Sequence, residues 1–245
     1  NFYKITREYY GKWIDVTPEI TDKQGVIFTS SPERDRCQVG YQHPFSIYSY
    51  ITDNLTIISH SRKVTDRMEN LKVEIEAEMT AHELATLLGD SFKIDVGHSI
   101  KFYYDRLPDN ANVGNVKQLT AIDYPLYLEF FNAQHPNADP GDWLEEYFIE
   151  ISEKGYVFGI IEDNRLVSVT DAPDMPYMQD DVQEIGINTL VGYRSRGYAR
   201  EATIACIKNI ISKGTCPIWS CNPNNVASER LAYSVGYKKL ADVLT

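Results

Sequence analysis

The residues best suited to chemistry lie near the C-terminus, where Arg194-Ser195-Arg196-Gly197-Tyr198-Ala199 follows shortly after a lone acid, Glu184. From Gln183 to Val191 apolar residues alternate (Ile185, Ile187, then Leu190 and Val191), which predicts a strand with one buried face. From about Gly197 to Lys213 the spacing of Ala199, Ala202, Cys206, Ile210 and Ile211 predicts a helix, with Gly214 as its C-cap. The turn between them is therefore a strand-to-helix junction. Amide N–H groups at a helix start have no intrahelical acceptor and sit at the positive end of the helix dipole, so they hold phosphate or pyrophosphate. Gly197 allows close backbone approach, and Arg194, Arg196 and Arg200 add positive charge. A plain turn with solvated arginines would give the same six residues, so the reading depends on what surrounds them.

Downstream, Pro217 to Cys221 reads as a short strand and Asn222-Pro223-Asn224-Asn225 as a turn. A helix follows from about Val226 to Val235, closed by Gly236-Tyr237. The pairing of R-x-x-G-x-A (Arg194, Gly197, Ala199) with N-x-x-S, a leucine and G-Y (Asn225, Ser228, Leu231, Gly236, Tyr237) resembles the GNAT superfamily of acyl-CoA-dependent N-acyltransferases. The resemblance covers roughly the last 130 residues, with the motifs in the last 60.

The resemblance implies an α+β, three-layer fold with a central mixed, splayed sheet, and acetyl-CoA as cosubstrate. Its pyrophosphate would lie on Arg194, Arg196, Gly197, Tyr198 and Ala199. Its pantetheine arm would run along Thr189, Leu190 and Val191, with Asn225 and Ser228 near the mouth of the splay. A splayed strand edge has free N–H and C=O groups for the two pantetheine amides. Transfer to an amine calls for a base, for which Glu184 is the candidate, and an acid for the departing thiolate. Relatives often carry a tyrosine seven residues after the motif asparagine. Here that position is Ala232 and the tyrosine is its neighbour, Tyr233, turned by about 100° on the helix. Cys221, at the strand end, is read as packing rather than as a nucleophile.

The rest of the chain must position these groups. Its 245 residues, 43% of them apolar, suffice for one large domain or two modest ones. No stretch has the length of a membrane span and NFYKITREYY does not read as a signal peptide, so a cytoplasmic protein is expected. Four scattered cysteines and five scattered histidines lack metal-site spacing, and no metal is expected. A net charge of −11 argues against nucleic-acid and anionic-membrane partners. Thirteen acids between Asp139 and Glu184 face only two bases, Lys154 and Arg165. The family places its acceptor walls in such a segment, so the favoured acceptor is a small cationic amine. Monomer and homodimer are both open.

Residues 1–110 read as an α+β N-terminal domain without nameable chemistry. Strands are expected at Gly25–Ser30, on either side of Asp53-Asn54, and at Val73–Ala77. A capping box at Thr80–Glu83 starts a helix expected to stop at Gly89. Some relatives carry a degenerate copy of the fold at this end, and nothing in residues 1–110 identifies one. After the turn-rich Leu107–Asn112, residues 111–245 form the catalytic domain. Its order is a strand (Val113–Leu119), helices from Thr120 and from Pro140, a hairpin turning at Glu162-Asp163-Asn164, and then the motif elements. Only one strand follows Tyr237. The family's final hairpin strand is therefore missing, or the N-terminal half supplies its place. Two rival functions remain: a non-catalytic acyl-CoA-binding sensor or regulatory module, prompted by Ala232, and a nucleotide-phosphate protein. The latter is disfavoured because no Lys-Ser/Thr pair follows the glycine.

Overall fold

Eleven strands and seven α-helices succeed one another along residues 1–245, all of which the computed structural model describes. The first half holds α1 (Phe2–Ile14), β1 (Gly25–Ser30), β2 (Ile47–Ile51), β3 (Leu55–His60), α2 (Thr65–Leu71), α3 (Ala81–Phe92) and β4 (His98–Tyr104). The second half begins with β5 (Val116–Gln118), α4 (Tyr124–Gln134), α5 (Trp143–Glu153), β6 (Phe158–Glu162) and β7 (Arg165–Asp171). It continues with β8 (Val182–Glu184), β9 (Gly186–Thr189), α6 (Tyr198–Ser212), β10 (Cys216–Cys221), α7 (Val226–Val235) and β11 (Tyr237–Leu244).

Seven strands form one mixed sheet in the order β1-β3-β2-β11-β4-β10-β8, and four form a second, β5-β6-β7-β9. With helices on both faces, this is the α+β, splayed-sheet architecture expected. The single expected strand from Gln183 is in fact two, because the chain changes partner at Ile185. Before it, β8 pairs in parallel with β10; after it, β9 pairs antiparallel with β7.

β4 lies between β10 and β11, antiparallel to both. A strand from residues 1–110 thus fills the position next to β11 that a closing hairpin would occupy. Strands from before and after the Leu107–Asn112 segment alternate in one sheet.

Local signals account for most elements. Asp163 (φ 50°) and Asn164 (φ 61°) both take the left-handed conformation of a two-residue type I′ turn, which suits the β6–β7 hairpin. Capping boxes are present at Thr80–Glu83 and at Thr120–Asp123. Other expectations need correction. Val73–Ala77 is a turn, not a strand; Val73 is exposed and only Ile75 of its apolar pair is buried, so the alternation has no sheet face behind it. Helix α3 continues through Gly89 to Phe92 and is capped by Lys93 in the left-handed region. Helix α5 starts at Trp143, three residues beyond Pro140.

Helix α1 was not read from the sequence, yet Thr6, Tyr9, Tyr10, Trp13 and Ile14 form its buried face at helical spacing. They pack on β2, β4, β8 and β10 in a core with Tyr48, Ile218 and Val243, where Trp13 stacks on Tyr48 at 5.5 Å. Helices α4 and α5 cover the smaller sheet through Phe130, Leu144 and Phe148, and α6 and α7 cover the opposite face. The partner switch at Ile185 therefore sits at the seam between the two sheets, with Ile185 itself buried in the core under α6 and α7.

Candidate active site

The last bond holding the two sheets together is Ile185 N–H to the Ile218 carbonyl, at 3.3 Å. Beyond it β10 turns to β4 and β9 to β7, leaving a wedge between β9 and β10. Bonded and non-bonded pairs alternate along an antiparallel ladder. Because the Leu190 amide donates to Val167 at 2.9 Å, Leu190, Asn188 and Gly186 face β7, while the backbone groups of Ile187 and Thr189 face the wedge. Of the three residues expected to line the arm, Thr189 alone presents its backbone to the wedge. Leu190 is buried against β7, and Val191 stands 78% exposed at the start of a short 3-10 turn. Ile187 joins Thr189, a consequence of strand parity that the sequence reading did not draw.

At the wedge's outer end the chain passes through Ser195 (φ 61°) and Gly197 (φ 86°) into α6. The amides of Ser195 through Arg200 donate no hydrogen bond within the chain. Six free N–H groups in a turn of alternating hand form a concave nest for an anion, at a helix N-terminus. Nothing lies within 4 Å of where a Gly197 side chain would project, so its requirement is conformational. Gly197→Ala is expected to cost about 1–2 kcal/mol for the left-handed conformation and to weaken CoA binding measurably in a calorimetric titration.

The arginine side chains are mostly engaged. Arg196 lies 3.1 Å from Glu162 and over the Tyr193 ring, Tyr198 donates to Glu162 at 2.6 Å, and Arg200 is bonded to Asn110. Arg194 donates its Nε to the Thr189 carbonyl at 3.2 Å and keeps its terminal nitrogens free. The amides, helped by Arg194, are what the turn offers an anion.

Asn225 and Ser228 form a cap. Asn225 Oδ1 accepts from the Ser228 amide at 3.1 Å, and Ser228 Oγ accepts from Trp219 Nε1 at 3.2 Å. Asn225→Ala should lower stability by about 1 kcal/mol, readable as a fall in Tm. Tyr233 is half-exposed, edge-on to Phe102, with its hydroxyl 3.4 Å from Glu229, while Ala232 is fully buried. Burial raises the Cys221 thiol above its usual range, so it is held as a thiol and not as a nucleophile.

On the face covered by α1, Glu184 is half-buried and accepts a hydrogen bond from Ser220 Oγ. Directly across β10 from Ser220 is Lys101 of β4. Burial lowers the Lys101 pKa, with Glu184 acting in the opposite direction, and its ammonium lies 5.8 Å from the Tyr10 ring. On the other side is Asp171, paired in register with Gly186. A Cβ on Gly186 would fall 1.9 Å from Asp171 Oδ1, so the carboxylate lies over the bare backbone at the mouth of the wedge. Burial, then the charge of Glu184, pushes the Asp171 pKa up to about 6. No group of three or more His, Cys, Asp or Glu side chains could hold a metal ion, and no helix is long and apolar enough to cross a membrane.

The GNAT acetyltransferase family model matches residues 48–242. The chain belongs to the GNAT acetyltransferase family. It is 28% identical over 111 residues to an uncharacterised N-acetyltransferase, YdfB, of Bacillus subtilis, covering 44% of this chain and 41% of that protein. Among solved structures it is similar to a GNAT-family acetyltransferase from Colwellia psychrerythraea, with a TM-score of 0.53 and 17% identity over 69% of this chain and 61% of that one. The matched part is thus less than two thirds of either relative. It is also similar to AAC(6')-Iy, solved with the bisubstrate analogue CoA-S-monomethyl-acetylneamine, at 20% identity, TM-score 0.43, and 50% and 89% coverage.

Within this GNAT chain the wedge brings together Glu184, Thr189 and the Arg194–Ala199 turn, with Asn225 and Ser228 at the start of α7. Tyr233 lies on the outer surface of α7, bonded to Glu229. Sequence reasoning missed Ile187, Asp171 and Lys101. The signal for Asp171 was present in Gly186, a glycine inside an alternating strand, which marks a close approach by another group.

Proposed function

We propose that the protein is an N-acetyltransferase moving an acetyl group from acetyl-CoA to the primary amine of a small cationic acceptor, by direct attack in a ternary complex. The observation that carries this reading is the continuity of the wedge at Ile185 with the free amides of Ser195–Arg200. An anion nest and an unpaired strand edge in line suit a pyrophosphate joined to a diamide arm. Bound acetyl-CoA would supply the activated thioester carbonyl. The chain's own residues do the rest: Ile187 and Thr189 hold the arm by backbone bonds, and Glu184 receives the proton released by the attacking nitrogen. Ser220 fixes the Glu184 rotamer, and Lys101 brings a positive charge from the N-terminal half to that side of the cleft.

Tyr233 can serve the leaving thiolate only when its hydroxyl leaves Glu229. Tyr233→Phe should therefore reduce turnover by less than about tenfold, below the 10²–10⁴ of a fully engaged acid. A thiolate is a tolerable leaving group near neutral pH, so this proton transfer is an aid rather than a requirement.

The acidic stretch contributes less to acceptor choice than its charge suggests. Of its thirteen acids all but Glu162, Asp171 and Glu184 are exposed, and Glu162 is committed to Arg196 and Tyr198. The cationic preference therefore rests on Asp171 and Glu184. The test is amine-dependent thiol release from acetyl-CoA. Tight CoA binding without turnover on any amine would favour a sensor or regulatory module.

A further inference from the structure

Lys101 lies in the middle of β4, part-buried beneath α1. Its ammonium makes no hydrogen bond or ion pair within the chain and meets the ring of Tyr10 at 5.8 Å. Lys117, Lys154 and Lys238, by contrast, each pair with a carboxylate. A lysine withdrawn from water without an acidic partner is costly as an ammonium, and burial accordingly lowers the Lys101 pKa, with Glu184 opposing. The free amine that results is a nucleophile.

The strand register decides what that nucleophile lies beside. The Ile218 carbonyl points towards β8, where it accepts from the Ile185 amide. Backbone groups alternate sides along a strand, so those of Ser220 also point away from β4, into the wedge. Ser220 and Lys101 are therefore a non-hydrogen-bonded cross-strand pair, the kind with Cα atoms about 4.5 Å apart and side chains closest. Lys101 thus stands one cross-strand step from a residue whose backbone lines the wedge. The Ser220 hydroxyl, on the same face, donates to Glu184. Glu184, Ser220 and Lys101 run across three adjacent strands, β8, β10 and β4. A base and a primary amine are so placed at the wedge by the chain itself.

We propose that Lys101 is an internal acceptor: with acetyl-CoA in the wedge and no amine in the cleft, the protein acetylates itself at this side chain. The inference rests on reading the cleft as an acetyltransferase site and adds a second, built-in acceptor to it. The Lys101 amine attacks the thioester carbonyl, the C–N bond forms as the C–S bond breaks, and CoA leaves as its thiolate. The proton lost by the nitrogen passes to Glu184 and from there to the thiolate. The product is an uncharged acetyl-lysine, so the positive charge on that side of the cleft is lost. Each chain reacts once, so sustained thiol release still requires an added amine.

The test is incubation of the wild-type protein with isotope-labelled acetyl-CoA and no added amine, read by intact mass and peptide mapping. Thiol release with added amines is measured on the same preparation. The expected result is one acetyl group per chain, on Lys101, acquired at a rate independent of protein concentration. Lys63 and Lys238, with side chains 79% and 59% exposed, report uncatalysed chemical acetylation. Lys101 should be labelled at least about tenfold faster than either, as proximity to a bound thioester requires. Glu184→Gln should slow the labelling by about 10²-fold. Lys101→Arg should abolish the gain in intact mass, with Tm confirming that it folds. Labelling of Lys101 without thiol release on any added amine would support the internal acceptor and overturn transfer to small amines. Amine-dependent thiol release with Lys101 unlabelled, or labelled no faster than Lys63 and Lys238, would overturn the internal acceptor and leave the enzyme. CoA binding with neither labelling nor release would overturn both.

Discussion

Glu184→Gln is expected to cut acetyl transfer by about 10²–10³-fold, the range for loss of a positioned base, with CoA affinity unchanged. The side chain stands at the last residue of β8, just before the sheets part. Glutamine keeps the volume and can still accept from Ser220, so the fold and the pantetheine edge at Ile187 and Thr189 are not disturbed. Only the capacity to take a proton is lost. Kinetics of thiol release, read with a CoA titration on the same preparation, separate the two effects: a fall in kcat at constant Kd is the predicted pattern. An unchanged kcat would move the base elsewhere, with Asp171 the nearest alternative.

Asp171→Asn should make the protein more stable while impairing amine use. With a folded pKa near 6 against an ordinary 3.8, Asp171 binds more protons in the native than in the unfolded state between those values. Its contribution to stability is therefore fully favourable below about pH 3.8, declines as pH rises through about 6, and is flat above that. At neutral pH the ionised carboxylate costs on the order of 2–3 kcal/mol. The uncharged amide removes that cost and should raise Tm by roughly 5 °C for a chain of this size. Thermal unfolding of wild type and variant at pH 5 and pH 8 checks this: the gap between them should widen at pH 8. A variant that melts below wild type at pH 8 would show that Asp171 is a structural partner rather than a group held for a ligand. Gain of stability with loss of function is the expected behaviour of a residue kept at a site against its own solvation.

The strand, basic turn and α6 were legible because each depends on local signals: alternation, a glycine at positive φ, helical spacing and a C-cap. The turn at Asp163-Asn164 was legible for the same reason, whereas the cap that Asn225 forms with the Ser228 amide was not read from its sequence. β4 was not placed, although Ile100, Phe102 and Tyr104 alternate clearly, because its position between β10 and β11 follows from pairings across more than a hundred residues. That placement puts Lys101 opposite Ser220, so the N-terminal half contributes to the cleft as well as to the core. Asp171 was hidden in plain composition as one of thirteen acids. Only the β7–β9 register and the bare backbone of Gly186 distinguish it from its solvated neighbours. The arginines led the other way: three in a row of seven residues suggested a charged grip, and the fold uses two of them to tie the turn to Glu162 and Asn110.

The most direct measurement is release of free CoA thiol from acetyl-CoA by the wild-type protein with and without a primary amine, with the acetylated product identified by mass. The account predicts release that requires the amine, one acetylamide formed per thiol, and saturation in both substrates. Saturable CoA binding with no amine-dependent release, across apolar and polycationic amines alike, would contradict it and identify the wedge as a binding site without catalysis.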